Sequence, residues 1–249
     1  MTTHQPPGEG AGRGGEVPAA QVGDTHPLSL TLVALTVVSG FVDAISYLGL
    51  GRVFAANMTG NVLVIGFAAG GAPGFSVAGS LVSLGAFLAG AVGAGRLARA
   101  FRGRRRAAWV RTALCGEAML QGAATAVAFT GGAHRTQLLI ALLALAMGLR
   151  NGTVRTLGVP DMTTTVLTQT LTGLASQSRL AGGSDPRAVR RLTAVVAMVA
   201  GALPGAWLVV RHGIAWPLLV STAIVAVTAV AYREKPEAAA RKPKFRTGP

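Results

Sequence analysis

Three acidic side chains lie in or beside long apolar stretches of the sequence: Asp43, Glu117 and Asp161. A charge in the middle of a membrane span costs at least about 2.5–3.5 kcal/mol on insertion scales, so each group requires a partner, a cavity or a proton. Asp43, within GFVDAISYLG, is the strongest candidate for binding a proton or a solute. Arg150 and Asn151 lie in a similar stretch, so we predict that Asp43 and Arg150 meet, either as a functional or as a purely structural ion pair.

Each acidic group also has a structural interpretation. Glu117 follows Arg111 by about one and a half helical turns, which predicts that the two charges neutralise each other. Asp161 is as well suited to capping a helix as to binding a solute. A further alternative, an intramembrane enzyme, would require Asp43 and Asp161 to lie within hydrogen-bond range as paired carboxylates.

Two polar motifs, NMTGN and DMTTT, interrupt apolar stretches. Both carry helix-capping residue types directly before an apolar run, which predicts an extended segment followed by a half-helix. Unpaired amide groups and the helix dipole at such an N-terminus favour a carboxylate or another anion, although threonine hydroxyls can equally bond to their own helix backbone. The candidate solute-binding residues are Asp43, Arg150 and Asn151 together with Asn57, Met58, Thr59, Gly60, Asn61, Asp161, Thr163, Thr164 and Thr165.

The composition excludes an ordinary water-soluble globule. Of 249 residues, 51% are hydrophobic and 13% are charged, and the mean hydropathy is +0.50, whereas a soluble domain carries about 25% charged residues. The net charge of +14 comes from Lys and Arg placed between apolar stretches, which indicates membrane topology and not nucleic-acid binding. Four histidines and one cysteine form no metal-binding pattern, and no catalytic motif is present, so we expect neither a cofactor nor enzymatic activity.

Six stretches are long enough to cross a bilayer core of about 30 Å as helices. Two further stretches are moderately apolar but contain the polar motifs, and we predict that they enter the membrane without crossing it. The predicted spans are 28–50, 75–96, 108–130, 136–157, 189–210 and 213–232, and the two interrupted segments are 52–71 and 159–182. A disordered arm (1–26) and a basic cytoplasmic tail (233–249) are predicted to flank one transmembrane domain (27–232).

The two halves of the domain, about 27–131 and 132–232, resemble each other. GFVDAISYLG corresponds to GLRNGTVRTLG, NMTGNVL to DMTTTVL, AGAVGA to AGALPGA, and Trp109 to Trp216, at offsets of 108, 104, 111 and 107 residues. Four matches in order at nearly constant offset favour a duplication. In this alignment Asp43 corresponds to Asn151.

The distribution of Lys and Arg predicts the orientation. If the interrupted segments do not cross, 17 of the 23 basic residues lie on one face and three on the other, and the positive-inside rule assigns the first face to the cytoplasm. If both cross, about 8 lie inside and 12 outside. The first arrangement predicts an all-α membrane protein of six transmembrane helices and two re-entrant half-helices, in a 3+3 inverted repeat with both termini cytoplasmic.

The motifs VDAISYL, NMTGN and GLRN followed by DMTTTVLT resemble those of the YoaK family of bacterial membrane proteins (DUF1275), whose function is unknown. The resemblance covers roughly residues 29–233 and implies a bacterial inner-membrane protein of six or seven spans. It implies no substrate and no catalytic residue.

Two functions are compatible with this pattern. Corresponding broken segments in inverted halves are typical of secondary transporters that bind solute near the bilayer midplane, which favours a transporter of a small anionic or zwitterionic solute, coupled to protons through Asp43. The alternative is a non-transporting scaffold or lipid-interacting module, whose polar motifs only hold helices together. Small-residue faces permit a homodimer but do not require one.

Overall fold

The computed structural model describes residues 27–130, 135–158, 167–178, 181–183 and 188–232. In these ranges the chain forms eight helices and no strand. They are α1 (Pro27–Gly49), α2 (Met58–Ala69), α3 (Val77–Ala100), α4 (Arg106–Thr130), α5 (Arg135–Leu157), α6 (Leu167–Ser176), α7 (Ala188–His212) and α8 (Ala215–Ala231).

Each predicted span coincides with one helix, and each interrupted segment contains a short helix. Among the described residues, α1, α3, α5 and α7 are long and apolar enough to cross a membrane. The helix α4 contains the charged residues Arg111 and Glu117, and α8 is apolar but has only 17 residues. The fold is therefore all-α with at least four candidate membrane spans.

Helices α1 and α7 cross closely at glycines. Gly40 of α1 lies against the backbone of α7, and a Cβ at Gly201 of α7 would overlap the carbonyl group of Val37. Gly205, one turn beyond Gly201, lies against Phe41, which is one turn beyond Val37. Residue numbers rise together across this contact, so α1 and α7 are parallel.

Helices α3 and α5 form the corresponding parallel pair. Gly90 of α3 lies against the backbone of α5, and Gly148 of α5 lies against the carbonyl group of Phe87. Gly152 meets Ala94 one turn later. Both crossings pair one helix of the first half of the chain with one of the second, and small residues allow these backbones to approach closely.

The remaining neighbours are antiparallel. Gln121 of α4 contacts Ser221 of α8, whereas Phe129, further along α4, contacts the earlier Trp216. Only five residues separate α3 from α4, four separate α4 from α5 and two separate α7 from α8, and such short connections join antiparallel neighbours. The core between these helices consists mainly of Val, Leu, Ile and Ala side chains.

Candidate functional site

The chain turns back into the protein after α1. Gly51 (φ +88°) and Arg52 (φ +59°) both adopt left-handed backbone conformations, which end the helix. The following segment, 53–57, has no helical structure, yet Val53, Ala55 and Ala56 are at most 4% exposed. We call residues 53–57 the re-entrant segment, because the chain turns back into the protein there. The segment packs beside the end of α1 and leads into α2.

Asp43 of α1 holds the re-entrant segment. Its Oδ1 accepts a hydrogen bond from the backbone N–H of Ala56 at 2.9 Å, and the amides of Ala55 and Asn57 also face the carboxylate. Ser46 accepts a bond from Ala55 N at 3.2 Å. Asp43 precedes Gly49 by six residues, so at 1.5 Å per residue the contact lies about 9 Å below the end of α1.

Asn61, in the first turn of α2, fixes the other side of the segment. Its Oδ1 accepts from Phe54 N at 2.9 Å, and its Nδ2 donates to Phe54 O at 2.6 Å and to Ser83 Oγ of α3 at 3.0 Å. Ser83 also donates to Phe54 O at 2.7 Å. Asn61 is fully buried. It acts as a cross-link between the re-entrant segment, α2 and α3, and not as a solute ligand facing an open site.

We expect Asn61→Ala to lower the free energy of unfolding by about 1–3 kcal/mol, because the partly buried amide of Phe54 would lose its acceptor. Chemical unfolding of the purified protein in detergent measures this loss. The matched control is Asn57→Ala: Asn57 is exposed and accepts from Gly60 N at 3.4 Å, so about 0.5 kcal/mol is expected. Equal losses in the two variants would contradict the cross-link.

The other residues of the NMTGN motif have smaller roles. Asn57 caps α2, which begins at Met58 and therefore earlier than the apolar run VLVIGFAAG before which capping was predicted, and Thr59 is exposed. The sulfur of Met58 lies 3.6 Å from Asn61 Nδ2. Gly60 lies against the ring of Phe54, where a Cβ would collide with it. The backbone amides of Ala55, Ala56 and Asn57, which precede α2, are oriented toward the carboxylate of Asp43.

Arg150 does not pair with Asp43, and this prediction is wrong. Its Nε donates to Glu117 Oε2 at 3.0 Å, and its Nη2 donates to Glu117 Oε1. Its Nη1 donates to Leu35 O at 2.7 Å and to Ser39 Oγ at 2.8 Å. Arg150 thus joins α5 to α4 and α1, and its bidentate geometry selects Glu117 as its partner.

The predicted neutralisation of Glu117 by Arg111 is also wrong. Arg111 is exposed on α4, whereas the side chain of Glu117 is only 1% exposed and faces α5. Glu117 Oε1 also accepts from Gln121 Nε2 at 2.9 Å, and Gln121 Oε1 accepts from Ser221 Oγ at 2.7 Å. A buried polar network therefore runs through four helices, from α8 through α4 and α5 to α1.

Sequence reasoning missed Gln121, Ser221 and Ser39 as members of this network. The available signal was the spacing of Glu117 and Gln121, four residues apart and therefore on one face of a predicted apolar helix. Two long polar side chains on one such face require partners on neighbouring helices.

A small cavity of about 20 Å³ adjoins the ion pair, enough for about one water molecule. It is lined by residues from 28–35 of α1, 110–117 of α4 and 150–157 of α5. Glu117 and Arg150 contribute to its wall, and most of the other lining side chains are apolar. The cavity lies toward the end of the molecule where α1 and α4 begin and α5 ends.

The second polar motif, DMTTT, lies entirely outside the described residues. Asp161, Thr163, Thr164 and Thr165 lie outside the described residues, so their predicted roles stay predictions. Asn151 is partly buried, and its Nδ2 donates to Met147 O at 2.9 Å within α5.

Long apolar helices are characteristic of integral membrane proteins, in which the few ionisable residues of the spans pair with one another, as Glu117 and Arg150 do here. Comparison with known proteins identifies the family: the profile described as "Protein of unknown function (DUF1275)" matches residues 31–231, and the chain belongs to this family. The resemblance predicted from the motifs is thereby confirmed.

A relative that is named as a transmembrane protein is similar to part of this chain. UPF0700 transmembrane protein YoaK of Bacillus subtilis (strain 168) is 34% identical over 145 residues, which cover 58% of this chain. The chain spans 64% of the length of that relative. No solved structure matches. The protein is therefore a membrane protein of the DUF1275 family.

Proposed function

We propose that this protein is a secondary transporter of a small anionic or zwitterionic solute in the bacterial inner membrane. Six helices would cross in two inverted halves, with both termini cytoplasmic, and α2 and α6 would enter from opposite faces. The helix directions support this arrangement: α1, α4 and α7 run one way and α3, α5 and α8 the other. The segments containing α2 and α6 then each connect two helix ends on one face.

The packing of the two halves supports the proposed duplication. The α1–α7 crossing at Gly40 and Gly201 has its counterpart in the α5–α3 crossing at Gly148 and Gly90. These glycines are related by the offsets of 108 and 111 residues that relate the sequence motifs. A pseudo-two-fold relation between inverted halves is common in transporters, where broken helices bind the solute.

The strongest support for transport is the position of α2, which directly follows the buried residues Ala55 and Ala56 beside the carboxylate of Asp43. A solute carboxylate bound at this helix N-terminus would compete with Asp43 for the amides of Ala55, Ala56 and Asn57. A proton on Asp43 removes its negative charge and weakens its hold on these amides. Solute binding would therefore require a proton, and the two would be carried together.

We expect Asp43→Asn to abolish proton-coupled uptake while leaving the protein folded and inserted. Asparagine can still accept from Ala56 N but cannot bind an exchangeable proton, and Asn151 already occupies the matching position of the second half. A thermal-shift screen of purified wild type against amino acids and mono- and dicarboxylates identifies the solute. Its uptake is then measured in proteoliposomes with and without a pH gradient.

The pH dependence of binding provides the control. In wild type, the solute should raise the melting temperature more at acidic than at neutral pH, because protonated Asp43 releases the amides. In Asp43→Asn this difference should disappear. Unchanged coupled uptake by the variant would remove Asp43 from the mechanism.

The scaffold alternative predicts instead that no solute stabilises wild type, and that Asp43→Asn and Thr163→Ala only lower the melting temperature.

A further inference from the structure

An arginine in the first turn of α7 has two buried nitrogen atoms without a partner. Arg190 is half-buried, and its Nε and Nη2 are shielded from solvent with no hydrogen-bond partner among the described residues. A guanidinium stays protonated in proteins, so Arg190 cannot lose its charge to avoid this burial. Burying a charged donor without an acceptor is costly. An anion beside Arg190 would remove that cost.

The two unpartnered atoms form one edge of the guanidinium, and this edge fits a group with two oxygens. Arg150 shows the fit within the same protein, because its Nε and Nη2 donate to the two carboxylate oxygens of Glu117. Phosphate and carboxylate both accept such a pair of parallel hydrogen bonds. Arg190 thus presents the same edge as Arg150 but lacks the two-oxygen partner.

The start of α7 favours an anion at this position. The first turn of the helix contains no acidic residue, and its backbone N–H groups and the helix dipole attract negative charge. The next residue, Arg191, is turned toward the end of α6, where its Nη1 donates to Gln177 Oε1 at 3.0 Å. Two guanidinium groups therefore lie at one helix N-terminus, and Arg190 is the one with a vacant edge.

An exposed apolar face of α7 begins beside Arg190. Val189, Leu192 and Val196 are each more than half exposed, and they lie on the side of the helix away from Gly201, which packs against α1. Since α7 is long and apolar enough to cross a membrane, this face contacts acyl chains and its first turn lies at the membrane boundary. A phospholipid supplies both a phosphate and acyl chains at this depth.

We propose that the start of α7 binds an anionic phospholipid. The lipid phosphate accepts hydrogen bonds from Nε and Nη2 of Arg190, and the acyl chains lie along Val189, Leu192 and Val196. The site faces the leaflet at which α1 and α7 begin, which is the predicted cytoplasmic leaflet, where basic residues attract anionic lipids. The inference requires a membrane location and is independent of the proposed transport.

Lipid titration of the purified full-length protein in detergent tests the proposal with wild type alone. Phosphatidylglycerol, phosphatidylcholine and inorganic phosphate are added in turn, native mass spectrometry counts the bound lipid, and the melting temperature is recorded. We expect phosphatidylglycerol to bind and to raise the melting temperature. Phosphatidylcholine, whose phosphate carries its own cation, should bind about tenfold more weakly. Equal effects of the two lipids, or equal stabilisation by inorganic phosphate, would overturn the proposal.

Two variants assign the lipid to Arg190. Arg190→Gln removes the charge, so phosphatidylglycerol should bind about tenfold more weakly. The matched control is Arg105→Gln, because Arg105 is exposed beside the start of α4, at the same end of the molecule; it should bind the lipid as wild type does. Equal losses in both variants would show attraction to positive charge in general. If Arg190→Gln lost stability but kept its lipid affinity, the acceptor would belong to the chain itself, and the proposal would be wrong.

Discussion

Arg150→Met is expected to lower the free energy of unfolding by about 3–5 kcal/mol, because removal of one partner leaves a buried charge without compensation. Arg150 makes four hydrogen bonds to two neighbouring helices, and Glu117, its acid partner, would keep only the bond from Gln121. Chemical unfolding in detergent, followed by circular dichroism, measures the loss.

Two variants separate the ion pair from general effects of substitution. Glu117→Gln combined with Arg150→Met removes both charges of the pair, so most of the lost stability should return. Arg111→Met also replaces an arginine by methionine within a long helix, but Arg111 is exposed and should change stability by less than about 1 kcal/mol. A loss for Arg150→Met no greater than that for Arg111→Met would show that the buried pair contributes nothing.

Gly90→Val is the second substitution with a large expected effect. A Cβ at Gly90 would overlap the backbone carbonyl of Leu145, and neither helix backbone can yield as a flexible side chain would. Since α3 and α5 would have to separate, we expect a loss of about 3 kcal/mol or more, above the usual range of about 1–3 kcal/mol for overpacking. Thermal unfolding in detergent measures this loss of stability as a lower melting temperature.

The same helix offers a matched control. Gly93 lies three residues further along α3, and a Cβ there would meet nothing within 4 Å. Gly93→Val therefore introduces the same side chain with the same helix propensity but no collision. The two variants should differ by the cost of the collision alone, and equal melting temperatures would show that the α3–α5 crossing is not closely packed at Gly90.

The helices could be predicted from the sequence because the apolar stretches are long and continuous. Each of the six predicted spans corresponds to a helix whose ends lie within a few residues of the prediction. The half-helix after Asn57 could also be predicted, because a capping residue before an apolar run is a local signal. These features depend on neighbouring residues along the chain.

The partners of the buried charges could not be predicted in the same way. The predicted contact of Arg150 with Asp43 depends on the alignment of the repeats, in which Asp43 corresponds to Asn151, the residue next to Arg150. Alignment does not give the rotation of a helix about its axis. The rotation of α4 turns Glu117 toward α5 and Arg111 outward. Asp43 instead meets a segment 13 residues further along the chain, a contact that depends on how the chain folds back after Gly51.

The crossing of α1 with α7 has a consequence for biogenesis. Gly201 is synthesised 161 residues after Gly40, which at about 5–20 residues per second takes on the order of 10–30 s. During that interval the nascent first helix, with its acidic side chain, must reside in the bilayer or the translocon without its main neighbour. Neither half can complete its packing alone, so a ribosome that stalls midway would release a chain that quality-control proteases can recognise.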